Sequence, residues 1–164
     1  MPTKLLSRVS EFDGPVVVAT DEQGAVAIDC DRWRTLAENS LRHEGVVSGE
    51  LDLLFVDEST MTELNSQHMG KHGPTDVLSF PLDGGGGATV GEALIGSVVV
   101  CPAYAARRAP ERAGVDHHRG TVDDELALLV VHGVLHVLGW DHVVDHEAER
   151  MQAREQQLLG RFLR

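Results

Sequence analysis

Three histidines, His132, His136 and His142, fall at spacings of four and six in the stretch His132-Gly133-Val134-Leu135-His136-Val137-Leu138-Gly139-Trp140-Asp141-His142. Positions i and i+4 of an α-helix lie on one face, about 6 Å apart along the axis. The rings of His132 and His136 can therefore aim at one point. Gly139 can take the left-handed conformation that ends a helix, and the chain can then turn back and bring His142 to the same point. Three neutral imidazoles around one ion, with a fourth position open, is the arrangement of a catalytic zinc site. Each histidine of an apolar helix needs a polar partner, since an unpaired one costs roughly a few kcal/mol; a shared cation satisfies both. One Zn2+ is the expected cofactor, although nickel or copper also binds imidazole well. A structural zinc site usually closes with four protein ligands and often uses cysteine. Here three ligands are evident, and Cys30 and Cys101 lie far from them in sequence. Water on an open zinc position has its pKa lowered toward ~7 and becomes a nucleophile at neutral pH.

The spacing matches the extended zincin pattern H-E-x-x-H-x-x-G-x-x-H except at Gly133, which stands where a peptidase carries its general-base Glu. A zincin-type metallopeptidase would need a carboxylate from elsewhere, such as Glu125 or Glu92. No catalytic base is assigned. His146, four residues after His142, competes as third ligand, but the Gly139 turn suits His142 better. Asp141 could hold an imidazole from behind or cap the next helix. His43, His68 and His72 are scattered and receive no role.

The chain of 164 residues is expected to form one domain, 1–164, with a sizeable core. A net charge of −12 argues against broad nonspecific nucleic-acid binding, and no DNA partner is expected. Arg107, Arg108, Arg112 and Arg119, with His117 and His118, form a local basic cluster opposed by Glu111 and Asp116; a solvated face is its simplest explanation. Residues 1–10 lack the apolar run of a signal peptide, and the longest apolar segment, 126–140, is too short to span a bilayer. A cytoplasmic protein with reduced cysteines and no membrane partner is expected.

The elements that must position the histidines follow from periodicity. Runs at 16–20 and 25–29 flank the turn-like Asp21-Glu22-Gln23-Gly24 and suggest a hairpin. A helix over 32–42, capped by Asp29 or Asp31, has Trp33, Leu36, Ala37, Ser40 and Leu41 on one face. Residues 50–56 read as a strand, 57–68 as a helix ended by Gly70 and Gly73-Pro74. Pro74 to Pro81 is a short strand bracketed by prolines, hence an edge strand or one that ends abruptly. Residues 83–91 are a glycine-rich flexible connection without the pattern of a phosphate loop. Residues 94–100 read as a strand buried on both faces, and Pro102 opens a helix reaching about Ala113. Thr121 and Asp124 resemble a capping box before the histidine helix, and 145–162 is an amphipathic helix with Ala148, Met151, Leu158 and Leu159 on its apolar face. The expected architecture is α+β: a single domain with a mixed β-sheet of about four strands packed with about five helices, one carrying a zincin-like metal site.

The histidine stretch resembles the H-G-x-L-H-x-x-G-x-D-H signature of the YbeY family of endoribonucleases. Pro74-Thr75-Asp76-Val77-Leu78-Ser79-Phe80-Pro81 is similar to that family's second block, as are Leu64-Asn65 and Cys101-Pro102. The resemblance implies a single-strand-specific, zinc-dependent endoribonuclease with the ion on His132, His136 and His142. It implies ribosomal RNA and the small ribosomal subunit as partners, with work in 16S rRNA 3′-end maturation and ribosome quality control. It also implies a mixed sheet surrounded by helices and a site in a cleft. The chain departs from the family at Met69, where many members carry an arginine, and at Gly96-Ser97-Val98, where many have Gly-Asp-Ile. The arginine cluster at 107–119 and Lys71 are the candidates to supply the missing charge. A non-catalytic ribosome-assembly factor with a structural metal is the remaining alternative.

Overall fold

A computed structural model describes residues 14–82, 94–142 and 144–163. The glycine-rich connection and Glu92 lie outside the described residues. Among the described residues four strands form one mixed sheet in the order β1-β2-β4-β3: β1 (Val16–Glu22), β2 (Glu50–Val56), β3 (Val77–Pro81) and β4 (Leu94–Val100). β1 and β4 both run parallel to β2, and β3 runs antiparallel to β4 at the far edge. Among the described residues the α-helices are α1 (Cys30–His43), α2 (Glu58–Met69), α3 (Pro102–Arg108), α4 (Val122–Val137) and α5 (Asp145–Phe162). None is long and apolar enough to cross a membrane.

The alternation of strand residues divides the core. Val17, Leu51, Leu53, Phe55, Val98 and Val100 join the large apolar cluster formed with α1, α4 and α5. Val56, Leu78 and Val99 point the other way, against Met61 of α2. A strand's side chains alternate between faces, so one stretch of β4 serves both layers; its last three valines are all buried. Helix α1 buries the five residues its periodicity picks out, and of its two candidate caps it is Asp29 that accepts from the Arg32 amide.

Two local expectations are corrected. Residues 25–29 form no strand, so the hairpin is absent. The Gln23 side chain donates to Val26 O and accepts from the amides of Ala25 and Val26, withdrawing those groups from any ladder. β1 instead spends its whole length on β2, in parallel. The helix opened by Pro102 ends at Arg108 and tightens into a 3-10 turn over Ala109–Arg112. Pro110 has no N–H to continue the α-helical ladder.

Helix α4 lies directly on the sheet because of Gly133. A Cβ at this position would stand 2.5 Å from Val98 Cγ1 of β4 and 3.4 Å from Ser79 Oγ of β3. Val98 and Ser79 are ladder partners, and Ser79 Oγ donates to Gly133 O at 3.0 Å. At its other end α4 is capped by Thr121, which accepts from the Asp124 amide. Asp124 does not reach back as a full capping box would. Its carboxylate accepts from the Arg119 amide, Nε and Nη2 at 2.8, 3.0 and 2.7 Å.

Gly133→Ala is expected to lower stability by about 1–2 kcal/mol in urea unfolding, because overpacking against Val98 outweighs the better helix propensity of alanine. The Arg119 guanidinium lowers the Asp124 pKa from 3.8 to about 2, against the opposing effect of burial. The unfolded carboxyl titrates near ~3.9, so this stabilisation is complete above that pH and is lost as pH falls toward 2. With Arg119 itself mostly exposed, it amounts to about 1–2 kcal/mol. The stability gap between wild type and Asp124→Asn should shrink by that amount between about pH 5 and pH 2.

Candidate metal centre

His132 and His136 lie one turn apart on α4, on a face turned about 60–100° from Gly133 around the helix axis. The helix ends immediately after them in a Schellman motif: the Gly139 amide donates to His136 O and the Trp140 amide to Leu135 O, both at 3.0 Å. Gly139 has φ +102°, a value that side chains with a Cβ rarely adopt. The chain reverses and His142 returns to the two rings. Ring centroids are 4.6 Å apart for His132–His136, 4.8 Å for His136–His142 and 5.4 Å for His132–His142. One ligand nitrogen from each ring lies within 4.8 Å of the other two. A tetrahedral zinc with Zn–N of about 2.0–2.1 Å needs them about 3.3 Å apart, which modest ring rotations supply. The donor set therefore fits a divalent ion.

The charge state of His136 favours a cation as well. Burial, and then the neighbouring His132 and His142, push the His136 pKa below its ordinary value, with a hydrogen bond to the Trp140 backbone pulling the other way. At neutral pH this ring is neutral, with a lone pair to give. His132 and His136 are half-buried and His142 is exposed, so the group opens to solvent on the His142 side. A cleft of about 300 Å³ adjoins it, lined by Asp76, Val77, Arg112, His132, His142 and Glu155 among others.

Glu155 is the residue that sequence reasoning missed. Its Oε2 is 2.5 Å from His132 Nδ1, across 23 residues of sequence, and its side chain is 7% exposed. The carboxylate fixes the ring and leaves Nε2 to face the group. A sequence signal existed: Glu155 follows Met151 by four and precedes Leu158 and Leu159 by three and four, on the apolar face of α5. A carboxylate in that stripe needs a buried partner.

Other sequence candidates are placed elsewhere. Asp141 holds no imidazole: its Oδ1 accepts from the His142 backbone amide at 2.7 Å, and the cap position of α5 is Val144. His146 is not among the three grouped rings. Glu125 is fully buried and engaged by Arg112 and His118, so it is not free to serve as a peptidase base. Gly133 faces the sheet, where a glutamate could not be accommodated. The arginine cluster is neutralised piece by piece: Arg107 by Glu58, Arg108 by Glu111, Arg112 by Glu125 and Arg119 by Asp124. Cys101 is buried and Cys30 partly so, both as free thiols.

The family described as Endoribonuclease YbeY matches residues 18–163. An Endoribonuclease YbeY of Alteromonas mediterranea is 33% identical over 160 residues, covering 98% of this chain and 93% of the relative. One from Salinispora tropica is 42% identical over 150 residues, covering 85% and 91%. The solution structure of TM1509 from Thermotoga maritima superposes with a TM-score of 0.57 at 25% identity, over 88% of this chain and 90% of that one.

Removing the carboxylate behind His132 should loosen the metal without removing a ligand. Glu155→Ala is expected to weaken zinc affinity about 10–100-fold in chelator competition, and Glu155→Gln, which can still accept from Nδ1, by less.

Proposed function

The chain belongs to the Endoribonuclease YbeY family, and from that premise we propose that it is a zinc-dependent endoribonuclease specific for single-stranded RNA, with the ion on His132, His136 and His142. Its substrates in this proposal are ribosomal RNA precursors, at the 3′ end of the 16S species, and RNA of defective small ribosomal subunits. The work is cytoplasmic, and the whole chain, 1–164, acts as one metal-dependent hydrolase domain.

The observation that carries the proposal is the convergence of three imidazoles, with ligand nitrogens within 4.8 Å of one another, beside an open cleft. When bound, a zinc ion supplies Lewis acidity toward a phosphoryl oxygen and toward water. The chain's own residues prepare for it. Glu155 holds His132 by Nδ1. His136 is kept neutral by burial. The Gly139 reversal brings in His142 from the solvent side. A peptidase is the weaker choice, because the position of its base is occupied by Gly133, pressed against Val98.

Purified wild-type protein is expected to hold one zinc per chain and to cut short single-stranded RNA. His136→Ala should lose both bound metal and cleavage while keeping its helical circular dichroism. Full cleavage by the metal-free variant would exclude the proposed role of the ion.

A further inference from the structure

The cleft beside His132 and His142 must admit a polyanion if the RNA-cleaving proposal is right, and the following inference rests on that proposal. Two carboxylates, Asp76 and Glu155, line the cleft. Among the described residues one Lys or Arg side chain lines it, Arg112.

Arg112 is presented by the 3-10 turn that Pro110 imposes. Its Nε lies 2.9 and 3.0 Å from the two oxygens of Glu125. The Glu125 side chain is 0% exposed and that of Arg112 is 37% exposed. The Nε end is thus anchored at a fully buried carboxylate, while part of the side chain stays open to solvent and lines the cleft. A guanidinium offers five N–H donors in a rigid planar fork, and four of them belong to the terminal amino groups.

Glu125 is itself immobilised. His118 Nδ1 accepts from the Gly120 amide at 2.9 Å, so the ring proton sits on Nε2, which donates to Glu125 Oε1 at 3.0 Å. Held from both sides, the carboxylate fixes the guanidinium before any ligand arrives, which reduces the entropy lost on binding. The other arginines of the cluster do not line the cleft.

We propose that Arg112 contacts a backbone phosphate of the single-stranded RNA beside the scissile bond, and that Glu125 is the positioning residue that aims it. A bidentate guanidinium–phosphate pair is among the stronger polar contacts available to the chain.

The test is binding of a short, fluorescently labelled 2′-O-methyl RNA strand to the zinc-loaded protein at several salt concentrations. Arg112→Gln alone leaves Glu125 buried without its charge partner and can fail to fold, so the Arg112→Gln/Glu125→Gln double variant is used beside it. The double variant is expected to melt close to wild type, to bind roughly tenfold more weakly, and to show a slope of log affinity against log salt smaller by about 0.7. Arg107→Gln, whose ion pair with Glu58 lies outside the cleft, should keep the wild-type slope. A double variant with wild-type affinity and slope overturns the role of Arg112 and leaves the RNA proposal standing. A wild-type protein with no salt-dependent affinity for the strand overturns both.

Discussion

Contact between Gly133 and Val98 fixes the depth at which α4 sits on the sheet, and the site depends on that depth. Packed interiors do not absorb even a methyl group without displacement. With nothing between the helix backbone and the valine, α4 lies low enough for Ser79 on the edge strand to reach the Gly133 carbonyl. The sheet-facing side of the helix is committed to packing, and the two histidines occupy another side. The same residue that departs from the peptidase pattern is therefore a packing requirement of this fold.

A second layer of constraint comes from α5. The helix buries Met151, Leu158 and Leu159 in the main core, and this apolar contact carries Glu155 to His132. A buried carboxylate without a partner would be costly; the imidazole Nδ1 supplies one. Packing and ligand orientation are in this way a single interaction, in which the stripe that docks the helix also aims the ring. Burial acts in the same direction at His136, where it disfavours the imidazolium.

What could be read from the sequence was local. The i, i+4 histidine pair, the Gly139 reversal, the Asp29 and Thr121 caps and the apolar face of α1 all depend on residues within a few positions of one another. Edge placement of β3 was one of the two readings its flanking prolines allowed. What was not legible depends on partners distant in sequence. The parallel pairing of β1 with β2 competes with a local turn that the Gln23 side chain closes in another way. The fate of the arginine cluster turned on acids as remote as Glu58, 49 residues from Arg107. Glu155 lay in plain view on an apolar stripe, but its partner was 23 residues upstream.

That separation has a consequence for synthesis. The three rings belong to one contiguous stretch and leave the ribosome together, whereas the carboxylate that steadies the first of them emerges later, on a helix that must first find the core. Between those two moments a nascent chain has its imidazoles without their brace, and a domain folds as a unit once its segments are accessible. A message broken between the codons for His142 and Glu155 would yield a polypeptide that carries every ring of the centre but not the buried acid that holds one in place.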